Sequence, residues 1–166
     1  FEGKMKTAVS HFSAAQTILQ DVPNPFYRCR VEVWLGLLKL NLGELDEAEK
    51  HLTLALETAH QSHRLSVAVA TQFQLVRLAK LRGNKDAALT LLNELAPSLT
   101  LFSDKTAVLD LRYQLPEAPS LLPQLIEQYA ELTEQTPRKI YKERLAALQD
   151  EANHSATKSS IYNLQS

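Results

Sequence analysis

The chain has 166 residues, 45% hydrophobic and 22% charged, a globular balance rather than a disordered or fibrous one. Lys and Arg total 18 against 19 for Asp and Glu, so a net charge of −1 gives no footprint for nucleic acid or an anionic membrane surface. No apolar run approaches the ~18 residues of a membrane span, the single cysteine excludes a disulfide framework and a multi-cysteine metal site, and 4 glycines leave little for phosphate loops or a β-rich fold. By elimination the chain reads as soluble, helical and cytoplasmic. The 30 Leu and 19 Ala agree, both being strong helix formers. Phe1-Glu2-Gly3-Lys4 carries neither an initiating Met nor a signal-peptide pattern, so the start reads as a cut inside a longer protein.

An internal repeat organises the elements. Gly3, Gly43 and Gly83 are spaced by forty residues, as are Ala8, Ala48 and Ala88. Phe12, Leu52 and Leu92 share the offset, as do Ala15, Ala55 and Leu95. Each unit reads as a helix pair. Asn24-Pro25 starts a helix, Asn as cap and Pro at the first helical position. Val31, Trp34, Leu35, Leu38 and Leu42 recur on its helical period, and Gly43 ends it in the left-handed conformation. Leu45-Asp46-Glu47 starts the next, with acids where the helix dipole favours them. Its buried stripe is Ala48, Leu52, Ala55, Leu56 and Ala59. A third helix runs from Leu65 to Leu81 and is closed by Gly83-Asn84. A fourth runs from Lys85 to about Ala96.

Past Pro97 the register decays. Ser103-Asp104 is expected to cap a short helix ending before Pro116. Ser120 to Thr133 reads as another, and Thr136-Pro137 starts a last one carrying Tyr141, Leu145, Leu148 and Ala152. Residues 1–20 thus read as the second helix of a truncated unit, and 24–62 and 63–97 as full units. Residues 103–152 read as a degenerate unit with capping helices, and 153–166 as a polar tail.

Leu35-Gly36, Gly43, Ala48, Leu52 and Ala55 together resemble the tetratricopeptide repeat. The spacing of forty is longer than that family's usual one and resembles the elongated repeats of bacterial regulators. The resemblance implies an all-α solenoid of antiparallel helix pairs, stacked as a right-handed superhelix. Its first helices would line a concave groove for a peptide or partner segment. Carried over residue by residue, that groove holds Arg30, Val33, Leu37, Leu40 and Asn41 from one unit. Ala70, Phe73, Arg77, Lys80 and Leu81 come from the next, with Trp34 and Gln74 beside them, although Trp34 also reads as core. The expected role is a non-catalytic interaction scaffold within a larger protein, selecting acidic and apolar segments through Arg30, Arg77 and Lys80. The alternative is a sensory domain of a bacterial regulator that binds a small molecule or peptide.

The remaining chemistry is sparse. His51, His60 and His63 with Glu57 form a conceivable metal cluster, but they also suit a helix end and its connection. Cys29 between Arg28 and Arg30 lacks a neighbouring base and reads as a packing thiol at a helix crossing. No nucleophile or phosphate-loop motif occurs, so no enzyme activity, cofactor or metal is expected. Without an upstream neighbour, the helix over residues 5–19 exposes Met5, Val9, Phe12 and Leu19 to self-association.

Overall fold

The computed structural model describes residues 2–21, 24–115 and 119–163. The described residues form eight α-helices and two short 3-10 turns, with no strand. They divide into two compact units, Phe1–Leu95 and Ala96–Ser166.

The N-terminal unit contains α1 (Glu2–Asp21), α2 (Pro25–Leu42), α3 (Leu45–Gln61), α4 (Leu65–Leu81) and α5 (Lys85–Leu95). The start of α2 follows the capping rule, since the Asn24 side chain accepts from Phe26 N at 3.1 Å and Tyr27 N at 3.4 Å. Gly43 (φ 77°) and Gly83 (φ 71°) close α2 and α4 in the left-handed region. Their turns share one hydrogen-bond pattern. Gly43 N donates to Leu40 O and Glu44 N to Lys39 O; Gly83 N donates to Lys80 O and Asn84 N to Ala79 O. The turn after α3 uses the same pattern without glycine. His63 takes φ 54° there, Arg64 N donating to Ala59 O. This connection was legible as a helix end, but a bulky residue in the left-handed region was not.

Within the unit, α2 packs against α1, α3 and α4, while α4 also packs against α3 and α5. The approach of α2 to α3 depends on Gly36. A Cβ built there would stand 2.6 Å from Leu52 Cγ and 2.7 Å from Leu52 Cδ2. Small residues at a crossing let helix axes come within about 8–10 Å, and the facing leucine fills the space. Leu40, Ala48, Leu52 and Leu78 form one core cluster. Cys29, Ala59 and Ala68 form another, which places the thiol at a helix crossing as its surroundings suggested. Burial pushes that thiol above its ordinary pKa. Three pairs of residues forty apart share full burial, Ala48 with Ala88, Leu52 with Leu92 and Ala55 with Leu95, all 0% exposed, while Phe12 and Ala15 in the same columns on α1 are half-buried. Ala8, on the outermost helix, is half-buried.

The C-terminal unit contains α6 (Phe102–Tyr113), α7 (Leu122–Gln135) and α8 (Lys139–Asn163). Leu125, Tyr129, Leu132 and Leu148 form its core, with Phe102, Leu109, Tyr141 and Leu145 packed around them. Ser103 and Asp104 do not cap α6; its cap is Leu101, and Asp104 lies in the first turn, where its charge meets the helix dipole. The last helix begins at Lys139, not at Thr136-Pro137, and continues through Asn163, so most of the expected polar tail is helical. The physical reason is that no Gly or Pro follows Pro137 to stop it. Residues 164–166 of that tail lie outside the described residues.

A polar knot ties the three helices together. Arg144 on α8 grips Asp110 on α6 with two hydrogen bonds, 2.9 Å from Nε and 2.6 Å from Nη2. The Tyr129 hydroxyl on α7 donates to the same carboxylate at 2.8 Å, and Gln114 Nε2 donates at 3.1 Å. Burial pushes the Asp110 carboxyl up, but these donors outweigh it and hold its pKa below the ordinary value. Burial and the Asp110 carboxylate together push the Tyr129 hydroxyl well up. Nearby, burial and a hydrogen bond with Glu151 push Tyr113 up to about 12. No helix among the described residues is long and apolar enough to cross a membrane.

Candidate functional site

The candidate face lies on α2 and α4, adjacent helices of the N-terminal unit. Positions spaced by three or four residues along α2 place Arg30, Val33, Leu37 and Asn41 on one side of it. The same spacing along α4 aligns Phe73, Arg77 and Lys80. Arg77 and Asn41 are brought together: Arg77 Nη2 donates to Asn41 Oδ1 at 2.8 Å, joining the C-terminal halves of the two helices. Val33, Leu37, Phe73 and Lys80 are half-buried, and Arg30, Asn41 and Arg77 are exposed. Leu81 extends the face as an exposed apolar side chain.

Three positions depart from the expected groove. Leu40 is core, 3% exposed, because it turns inward onto Ala48, Leu52 and Leu78. Arg30 is engaged locally, its guanidinium 5.4 Å from the centre of the Phe26 ring. Arg64 covers the same ring at 4.9 Å, so Arg30 belongs to a cationic cluster at the start of α2. Trp34 is not core. It is 46% exposed and stacks on Phe12 of α1, with ring centres 6.1 Å apart. On α4, the Gln74 side-chain oxygen is enclosed without a hydrogen-bond partner.

The electrostatics around the α2–α4 face are mixed. Arg82, just past α4, binds Asp46 at 2.6 Å and Glu49 at 2.8 Å, both on α3, so its charge is spent inside the fold. Hydrogen bonding to Glu49 and Asp46 raises its pKa against the opposing effect of desolvation. Lys39 pairs with Glu44 at 2.5 Å across the glycine turn.

Sequence reasoning missed Glu32. It sits on α2 at 1% exposure, among the apolar stripe. One of its oxygens accepts from Gln16 Nε2 of α1 at 2.7 Å, and the other is 2.7 Å from His51 Nδ1 of α3. The signal was present: an acid at a core position of a helix must find partners, because an unpaired buried carboxylate is costly. His51 is therefore paired with Glu32, while His60 is exposed at the end of α3 and His63 occupies the turn. No group of three or more His, Cys, Asp or Glu among the described residues is placed to hold a metal ion.

No protein-family model matches this chain, and no curated protein or solved structure matches it either.

Proposed function

We propose that the N-terminal unit is an elongated tetratricopeptide-like helix array and that it works as a non-catalytic scaffold. A partner's extended or helical segment lies along α2 and α4. The observation that carries this reading is the Arg77–Asn41 hydrogen bond between two neighbouring first helices, with half-buried Val33, Leu37 and Phe73 on the same helix sides. That combination offers an apolar strip with a polar clamp at one end, which suits a segment bearing apolar and acidic residues. The matched turns at Gly43 and Gly83 and the equal burial of Ala48 with Ala88, Leu52 with Leu92 and Ala55 with Leu95 support the repeat. Apolar burial supplies affinity, and Arg77 with Lys80 supplies selectivity.

The test is a peptide array of acidic and apolar segments, read with the wild-type chain and with the R77E/K80E double variant. The expected result is that peptides held by the wild type bind the variant about tenfold more weakly or worse, through like-charge repulsion. Equal binding by both proteins removes the face from the argument.

A further inference from the structure

Charge in the N-terminal unit is sorted by helix. The acid of α2, Glu32, is 1% exposed and held by Gln16 and His51, and α4 has no acid at all. The two helices carry Arg30, Lys39, Arg77 and Lys80 among their cations, whereas α3 holds acids from its first turn onward, beginning with Asp46 and Glu47. The net charge of −1 conceals this segregation, which leaves α2 and α4 without an exposed carboxylate.

The cations gather at the two ends of the α2–α4 face. At the start of the helices, Arg30 of α2 and Arg64, just before α4, lie 5.4 and 4.9 Å from the centre of the Phe26 ring. At their ends, Arg77 Nη2 reaches Asn41 Oδ1 at 2.8 Å. Start meets start and end meets end, so α2 and α4 run parallel with a cationic pole at each end. Arg30, Arg64 and Arg77 are exposed and make no ion pair among the described residues. Stacking on a ring engages the flat face of a guanidinium and leaves its N–H edge free to grip a carboxylate. Asn41 is neutral, so it orients Arg77 without cancelling its charge. Half-buried Val33, Leu37 and Phe73 lie between the poles. A rise of about 1.5 Å per residue separates the Phe26–Arg30 turn from Asn41 by about 16–23 Å.

We propose that this face binds a partner segment carrying two acidic side chains, one for each pole, with apolar residues between them. The proposal rests on the scaffold reading above and adds to it a second anchor and a fixed reach. An extended segment covers that reach with its acids about five to seven residues apart, and a helical segment with its acids about 11–15 apart. A lone acid neutralises one pole and leaves the other unpaired, and a basic residue at either pole is repelled.

The experiment uses the whole chain and synthetic peptides of Leu, Ala and Ser that carry one Glu or two, with the spacing of the pair varied. Fluorescence anisotropy at low ionic strength, where surface charges are least screened, reads the affinity. The expected result is that a pair at the extended or the helical spacing binds about tenfold or more tightly than single-Glu peptides and than adjacent pairs. R30Q/R64Q, at exposed positions, is expected to reduce the pair to the single-Glu level. The single-Glu peptides, which can use the Arg77 pole, should change by less than about threefold, and that second readout shows the face of the variant to be intact. R77Q should remove the advantage of the pair from the other end. Affinity independent of spacing, or undiminished in R30Q/R64Q, overturns the second anchor; loss of binding in R77E/K80E alongside it leaves the scaffold reading standing. Binding by none of the peptides overturns the proposal, and the peptide array then decides the scaffold reading by itself.

Discussion

Gly36→Ala tests the helix crossing on which the N-terminal unit depends. The added Cβ would stand 2.6 Å from Leu52 Cγ and 2.7 Å from Cδ2. Leu52 is 0% exposed and enclosed by Leu40, Ala48 and Leu78, so it has no free space to enter. Overpacking of this kind costs about 1–3 kcal/mol. Ala is a better helix former than Gly by about 1 kcal/mol, which offsets part of the loss. The net expectation is destabilisation of about 0–2 kcal/mol, where an uncrowded helical glycine would give a gain. The decisive measurement is the double-mutant cycle. Leu52→Ala alone costs about 2–5 kcal/mol through lost burial and a cavity. It also removes both atoms in the clash, leaving Ala48 O at 3.4 Å, an ordinary contact, as the nearest remaining neighbour. In that background Gly36→Ala becomes stabilising by about 1 kcal/mol, and the coupling between the two sites is about 1–3 kcal/mol. Urea titrations followed by helical circular dichroism, run on the four proteins, give the cycle. If Gly36→Ala raises stability equally in both backgrounds, the close approach is not what holds α2 on α3.

Two further perturbations probe other parts of the chain. His63→Gly removes the cost of a left-handed non-glycine residue, about 1–2 kcal/mol, but adds about 0.4–1 kcal/mol of unfolded-chain entropy; a net gain of roughly 0.5 kcal/mol is expected, and a loss in chemical denaturation would argue that the imidazole makes a needed contact. In the C-terminal unit, Arg144→Leu strands the buried Asp110 carboxylate at a cost of about 3 kcal/mol, the low end for such pairs because Arg144 keeps 29% of its side chain in water. The folded Asp110 pKa is depressed, so its stabilisation is complete above the unfolded value of about 3.9 and is lost as pH falls through the lower folded value. Wild-type stability should therefore decline on acidification below about pH 4, and Asp110→Asn should decline less over the same window. Identical pH profiles would remove Asp110 from that account.

Much of the helical layout was written in local chemistry. Asn24-Pro25, Gly43 and Gly83 mark helix ends through backbone requirements that any context must respect. The alanine and leucine columns of the N-terminal unit announce which sides pack, because a small residue and a bulky one can nest only at a close crossing. The C-terminal unit was read less well. Its helix starts shift by two or three residues, and α8 runs on where polarity suggested a tail. Polarity says that a helix faces water; it does not stop one, which takes Gly, Pro or a capped turn. The candidate face was legible as a list of positions. That Leu40 leaves it for the core and Trp34 leaves the core for α1 was not, since neighbouring residues on one helix differ by rotations that only the packed partners fix.

By itself, then, the sequence determined an all-helical chain with helix pairs over residues 24–95, their turn positions and their small-residue contacts, because these follow from backbone geometry and side-chain size over short spans. The tertiary structure decided which charges meet. Gln16, Glu32 and His51 come from three helices, and Asp110, Tyr129 and Arg144 from three others. Pairs so far apart in the chain leave no periodic trace, and the cost of burying a charge selects them only once the helices are in place.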